Sequence, residues 1–518
     1  MSFWDHLLRG NESRGNNAAS CSDPSKLAFL DVEVGLGDNK VHDIGVVTGD
    51  GAMSHSASKD NALGMLRDAD FICGHNIIHH DLKYLFDNEG SCIVHHDYSD
   101  KTKEWIAVDT LYMSPLLFPE RPYHRLLKDD KLQTDQLNNP VNDCMKARDL
   151  LMDEIAEWSR LTHEMRSFYR YLLQGNAEFD GFLKLVSGYC KEEDNAEIGS
   201  VQEAASLIAR TFDGQICGHS DLEMMIERHP VALAYALALA GTSDYRSVTP
   251  PWVLYNYPEV EYLLHLLRHT RCAEGCAYCG KSLDLHYNLK LFFGFDQFRK
   301  YDGESLQENA ARAAVEGKSL LAIFPTGGGK SLTFQLPALM AGRAVRGLTV
   351  VISPLQSLMK DQVGNLAARG ITEAVTVNGL LDPIDRANAI ERVRDGEASL
   401  LYISPEMLRS KTIEKILLSR DVVRFVIDEA HCFSAWGQDF RVDYMHIGKF
   451  IREYQKKKQC FEPIPVSCFT ATAKQKVVQD ICDYFRRELG TELYRFASSA
   501  SRTNLHYSVL YAETDDNK

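Results

Sequence analysis

Apolar and polar positions along this chain switch period twice. Between residues 26 and 150, short β-rich runs (LAFLDVEV, HDIGVV, ADFICGH) are separated by stretches with helical spacing, which predicts an α/β domain. From ARDLLMDEIAEWSRL through EVEYLLHLLRH, over residues 144–270, the spacing is almost wholly helical. Within it Val231–Gly241 is apolar on every side. That run falls short of the roughly 18 residues a membrane span needs, so it predicts a buried helix. Residues 292–510 alternate again, with SLLAIFP, LTVVISP, ASLLYISP, RFVIDEA and PVSCFTAT each closed by small or turn residues and followed by a helical segment. Such a pattern predicts a parallel sheet covered on both faces, with ligands held at the carboxyl ends of its strands. The predicted organisation is a polar, mobile tail at 1–25, an α/β domain at 26–155, a mostly helical connecting domain at 156–270, a cysteine-rich element at 271–291, a second α/β domain at 292–510 and a short terminal piece at 511–518.

At 518 residues the chain suits about three domains. The N-terminus lacks the charged-then-apolar layout of a signal peptide, so a cytoplasmic protein with no membrane partner is expected. The 13 cysteines are an odd number and mostly scattered, which fits reduced side chains rather than a disulfide framework. A net charge of −15 argues against coating nucleic acid by bulk charge. It leaves room for a local basic groove, because phosphate contacts need only a few well-placed Lys and Arg.

Chemistry is most legible at Phe324-Pro-Thr-Gly-Gly-Gly-Lys330-Ser331, between an apolar strand and a helical segment. Backbone N–H groups of Thr326, Gly327, Gly328 and Gly329 can turn inward around phosphates, helped by the helix N-terminus. Lys330 would reach the β- and γ-phosphates of ATP, and Ser331 would ligate Mg²⁺. The strict phosphate-loop pattern has Gly where this chain has Phe324. A bland alternative is a glycine-rich turn with a chance Gly-Lys-Ser. Against it stands RFVIDEAH, about a hundred residues on, where Asp428 is placed to hold Mg²⁺ and Glu429 to orient or deprotonate water.

These segments resemble the RecQ family of ATP-dependent DNA helicases. FPTGGGKSLTFQLPAL is similar to helicase motif I, VVISPLQSLMKDQV to motif Ia, YISPEML to motif Ib, VIDEAHCFSAWGQDFRVDY to motif II with its aromatic-rich loop, and SCFTATA to motif III. FGFDQFR with Gln307 resembles the adenine-reading motif, with about five extra residues between Phe298-Arg299 and Gln307. The resemblance implies a RecA-like P-loop NTPase domain and a 3′→5′ motor acting on single-stranded DNA or duplex junctions in recombination or repair. Gln307 would hydrogen-bond adenine. His431 would link nucleotide state to DNA. Trp436, Phe440 and Arg441 would sense single-stranded DNA by stacking and phosphate contact, unless the two aromatics are simply core. RecQ-like motors close ATP between two lobes. The chain ends at Lys518, shortly after SASRTNLHYSV, which resembles the start of the passage to lobe two, so a second RecA-like lobe is expected in a longer protein.

Asp31 and Glu33 stand two apart on a predicted strand, which puts both carboxylates on one face. Asp81 opens one predicted helix and Asp143 lies early in another. Four such carboxylates can bind two Mg²⁺ or Mn²⁺ ions for phosphodiester hydrolysis. The array, with VDTLYMSPLLFP, resembles the DnaQ-like, DEDD-type 3′→5′ exonucleases, which implies an RNase H-like fold. That family's histidine form has His five residues before the last Asp; here the residue is Asn138, which cannot accept a proton at neutral pH, leaving His124 or His80 as substitutes. Two further readings therefore stand beside the motor: a metal-dependent nuclease regulated by the ATPase lobe, and a DNA-binding scaffold without nuclease catalysis.

Cys272, Cys276 and Cys279 are spaced closely enough to converge on tetrahedral Zn²⁺. His286 would be the fourth ligand, with Cys217 or His219 as alternative sources. The other reading is three reduced cysteines in a loop.

Overall fold

A computed structural model describes residues 26–35, 39–88, 90–121, 124, 139–189, 198–242, 247–301, 303–325, 327–379, 381–434, 442–471 and 474–498. These fall into two compact units: residues up to Arg268 with Cys276–Tyr278, and His269–Gly275 with residues from Cys279 onward. The tail at 1–25 and the terminal piece at 511–518 lie outside the described residues.

The first unit is built on a six-stranded mixed sheet. Its strands are β1 (Leu27–Val34), β2 (Val41–Thr48), β3 (Met53–His55), β4 (Phe71–Gly74), β5 (Ile93–Asp97) and β6 (Thr102–Asp109), in the order β3-β2-β1-β4-β6-β5. β1 runs antiparallel to β2 and parallel to β4, β4 runs parallel to β6, and β5 returns antiparallel on β6. Alternation in LAFLDVEV does its ordinary work: Ala28, Leu30 and Val32 enter the apolar core on one face.

The long helix Pro140–Arg160 starts with a proline at its first position and an Asn139 side chain accepting from the Val141 N–H at 3.0 Å. Its first turn lies directly on β2. A Cβ at Gly45 would stand 2.4 Å from the Pro140 carbonyl carbon, so only glycine admits this approach. The helical region belongs to the same unit. Gly181, on the helix Ala177–Lys184, sits against the β6 backbone, and Tyr235 donates to the Tyr112 carbonyl at 2.8 Å. Tyr235 belongs to the helix Pro230–Gly241, in which every residue from Val231 to Ala240 is buried. No helix among the described residues is long and apolar enough to cross a membrane.

The second unit carries a seven-stranded sheet of β7 (Leu320–Ile323), β8 (Leu348–Ile352), β9 (Ala374–Val377), β10 (Leu400–Ile403), β11 (Val422–Ile427), β12 (Val466–Thr470) and β13 (Tyr494–Ala497). The order is β13-β7-β12-β11-β8-β10-β9, and every pairing is parallel. Successive residues feed opposite cores: Leu401, Ile403, Phe425 and Ile427 pack on one face, and Leu400, Tyr402 and Val426 on the other. At about 1.5–3 kcal/mol for each large side chain buried, strands apolar on both faces hold only as a sandwich between helices. In β11 a charged residue breaks the apolar run. Arg424 is buried, and its guanidinium donates to the Ala314 and Lys318 carbonyls at 2.6 and 3.0 Å and to Ser467 Oγ at 2.9 Å.

Candidate functional site

Where β7 ends, the chain enters the glycine loop and then the helix Lys330–Val345. Gly327 and Gly329 adopt φ of +75° and +85°, the left-handed region that glycine enters without penalty. Thr326 lies outside the described residues. The loop is tied down from the segment before it. Arg299 donates from its guanidinium to the Gly327 carbonyl at 2.8 Å, and the Tyr301 hydroxyl donates to the Gly328 carbonyl. The Gln307 Nε2 donates to the Gly329 carbonyl at 2.9 Å, and its Oε1 accepts from the Arg299 N–H at 2.8 Å. Gln307 is wholly buried, and both ends of its amide hold backbone. In this structure it braces the loop.

Phe324, the departure from the strict motif, does not block the loop. It is buried under Tyr301, with ring centroids 4.8 Å apart and planes 16° apart. The extra residues between Arg299 and Gln307 carry Tyr301, which pairs with Glu304 in an isolated bridge. The insertion therefore supplies both the ring that covers Phe324 and a hydroxyl that holds Gly328.

Asp428 and Glu429 follow β11, two strands from β7 in the sheet. Asp428 is buried, and burial, with the adjoining Glu429 charge, raises its carboxyl above the ordinary range. Lys330 Nζ stands 3.4 Å from Glu429 Oε1, and Glu429 adopts a left-handed φ of +49°. His431 Nδ1 is 3.2 Å from Glu429 Oε2 and 3.2 Å from Thr470 Oγ1 at the end of β12. The His431 imidazole is pushed up to about 10 by hydrogen bonding to Cys432 and Glu429. The Glu429 carboxyl is held low, chiefly by the bond from His431. Ser331 Oγ accepts from Gln362 Nε2 at 2.7 Å, a partner the sequence did not announce. A buried carboxylate, a second acid, an ammonium and a hydroxyl at the carboxyl ends of the strands form a donor set suited to a triphosphate with a divalent cation. Trp436, Phe440 and Arg441 lie outside the described residues.

In the first unit, carboxylate oxygens of Asp31, Glu33 and Asp143 lie within 4.8 Å of one another. The strand pairing explains the meeting. Asp31 pairs with Gly45, the position that admits the first turn of the helix bearing Asp143. Asp81 is not in this trio. It is buried, and its Oδ1 accepts from the Val32 N–H at 2.6 Å and lies 3.6 Å from His80 Nδ1. Asp31 is pushed up to about 8 by burial and by the charges of Asp81, Asp143 and Glu33. Like charges gathered this tightly are relieved by a bound cation, so the trio fits a metal. His124 is buried, takes Ser114 as its partner at 2.8 Å, and is lowered to about 4 by burial. Asn138 lies outside the described residues. Sequence reasoning missed Asp109. Fully buried at the end of β6, it caps the following helix through Leu111 and accepts from the Asn76 and Ile78 N–H groups, holding the loop that leads to Asp81. Its signal was Asp-Thr before an apolar helix.

Among the cysteines, Cys217 and Cys276 of the first unit have sulfurs 4.0 Å apart, and the Gly218 N–H donates to Cys276 Sγ at 3.4 Å. Cys272 and Cys279 of the second unit have sulfurs within 4.8 Å of each other. His286 does not join them. Its Nε2 is 3.1 Å from Glu308 Oε1, and its ring meets Phe298 edge-on.

An all-parallel sheet with a glycine loop after one strand and an Asp-Glu pair two strands away defines the second unit as a P-loop nucleotide-binding domain. Residues 304–481 match the family model described as DEAD/DEAH box helicase. The chain is similar to the probable ATP-dependent DNA helicase RecS of Bacillus subtilis, with 38% identity over 225 residues, 43% of this chain and 41% of that protein. It is similar to the ATP-dependent DNA helicase RecQ of Haemophilus influenzae, with 37% identity over 221 residues, 43% of this chain and 32% of that one. With the RecQ of Bacillus subtilis the identity is 39% over 229 residues, 44% of this chain and 36% of the relative. The chain thus spans less than half the length of these relatives.

Proposed function

We propose that the second unit is the ATP-hydrolysing lobe of a RecQ-like, 3′→5′ DNA helicase working in recombination or repair. The observation that carries this reading is the meeting of Lys330 with Glu429, next to Ser331 and Asp428, at the carboxyl ends of the strands. Relatives similar over this stretch are named ATP-dependent DNA helicases, which supports DNA as the partner. The Lys330 ammonium now rests on Glu429; an arriving triphosphate competes for it and releases Glu429 to orient water. His431 touches both Glu429 and Thr470, so it can report changes at the acid to the next strand. Magnesium bound by Ser331 and Asp428 would neutralise charge on the phosphates. DNA contact by Trp436, Phe440 and Arg441, and completion of the site by a second lobe, belong to the same proposal. The test is ATP turnover with and without single-stranded DNA. Stimulation that disappears in Lys330→Ala is expected; turnover indifferent to both DNA and Lys330 refutes the motor.

A second reading concerns the first unit, whose strand order and acidic trio favour a DnaQ-like, RNase H-like domain with Asp31, Glu33, Asp143 and the adjoining Asp81 as ligands of Mg²⁺ or Mn²⁺. Degradation of end-labelled DNA with Mn²⁺, compared with Asp31→Ala, separates a nuclease from a scaffold that only holds DNA. For zinc, a cysteine site is favoured over one completed by His286, because His286 is engaged by Glu308. Metal content lost in Cys276→Ser and kept in His286→Ala is the expected result.

A further inference from the structure

Ser331 is reached by a chain of side-chain amides that no part of the nucleotide reading accounts for. Gln335, one turn along the helix Lys330–Val345, is buried, and its Nε2 donates to Tyr402 OH at 3.0 Å and to Gln362 Oε1 at 2.8 Å. A primary amide nitrogen has two hydrogens, and both are used. Tyr402 is buried at the end of β10, and burial keeps its phenol protonated. With its carbonyl committed to Gln335, Gln362 turns its own nitrogen to Ser331 Oγ, at 2.7 Å. A hydroxyl oxygen has two lone pairs. The Gln362 donor takes one, and the other keeps a fixed direction.

We propose that Gln362, on the helix Gln356–Ala367, is a positioning residue that orients the Ser331 hydroxyl for the divalent cation accompanying the triphosphate. Tyr402 and Gln335 act behind it, by fixing which way its amide faces. The inference rests on the phosphate-loop reading and adds to it a residue from a different helix. It makes the cation's affinity depend on where the helix Gln356–Ala367 stands.

The test is binding of a fluorescent ATP analogue to the full chain, in EDTA and across a Mg²⁺ titration. Gln362→Met keeps the length and removes the donor. It should leave affinity in EDTA unchanged and raise the Mg²⁺ concentration for half-maximal tightening about 5-fold, the scale of one lost hydrogen bond. Gln335→Met should move the midpoint the same way by less, and add nothing in the Gln362→Met background. An unchanged Mg²⁺ midpoint overturns the proposal, as does an equal loss of affinity with and without Mg²⁺, which would mean a distorted loop. Wild-type protein that binds no nucleotide would instead remove the phosphate-loop reading beneath it. Should Gln362→Met fail to fold, Gln362→Asn, one methylene shorter, carries the same expectation.

Discussion

Gly329→Ala is the sharpest probe of how the glycine loop is held. Two separate costs can be worked out. A Cβ in the left-handed region costs about 1–2 kcal/mol. The new Cβ would also lie 2.8 Å from Gln307 Nε2. Gln307 cannot swing aside freely, because it is wholly buried and bonded to the Arg299 N–H and the Gly329 carbonyl. Displacing it forfeits two hydrogen bonds at about 1 kcal/mol each. Together these give about 3 kcal/mol, roughly a hundredfold loss in affinity for an ATP analogue if the loop must be intact to bind. Gln307→Ala removes the obstacle. In that background Gly329→Ala should cost only the backbone share, roughly tenfold, leaving a coupling of about 1–2 kcal/mol between the two sites. Equilibrium titrations of the four proteins measure it. If Gly329→Ala costs the same with and without the Gln307 side chain, Gln307 does not brace the loop.

Other expectations concern both units. Gly181→Ala should destabilise the first unit by at least about 3 kcal/mol, because its Cβ would meet the Ala107 carbonyl oxygen at 1.8 Å and backbone cannot yield as a side chain can; urea unfolding measures this, and a neutral result would refute the close approach. The folded-state value of about 10 for His431 lies above the ordinary 6.5, so its stabilisation is complete below pH 6.5 and is lost as pH rises toward 10. Its ring protons should stay in the cationic position at pH 8 by NMR, and a ring that titrates near 6.5 would break the link to Cys432 and Glu429. Mn²⁺ should bind the first unit in calorimetry and bind at least about tenfold more weakly after Asp143→Asn; equal affinity would separate the acidic trio from metal.

Much of the second unit was legible because a buried parallel strand is a short apolar run and its ligand-bearing loop follows at once. The runs ending before Phe324, Ser353, Ser404, Asp428 and Ala471 all became strands of one sheet. β9 and β13 were not singled out: they are the two end strands of the sheet, and Thr376 and Arg495 interrupt their apolar runs. Asp31 and Glu33 could be placed together because strand periodicity fixes faces. Asp143 joined them in the sequence only through the family resemblance, since its arrival depends on a missing side chain at Gly45, on another strand. Gln307 lies beside the loop as expected, but the backbone groups its amide holds there could not be read from spacing. Gln362 was invisible for the same reason: amide partners chosen across three segments leave no local spacing. Helices from both the 26–155 and the 156–270 ranges lie in one compact unit.

Arg424 has a consequence for alignment. The strand VVRFVI is apolar on both sides, so hydrophobicity alone would let it slide against its neighbours at little cost. A guanidinium that must reach acceptors at Ala314, Lys318 and Ser467 tolerates no such slip, and the pairing with β8 already steps irregularly between Val422 and Arg424. Four residues further on stands Asp428. The buried cation therefore acts as a ratchet pawl for the strand, and the position of the acid at the far end is decided by a residue that never meets the nucleotide.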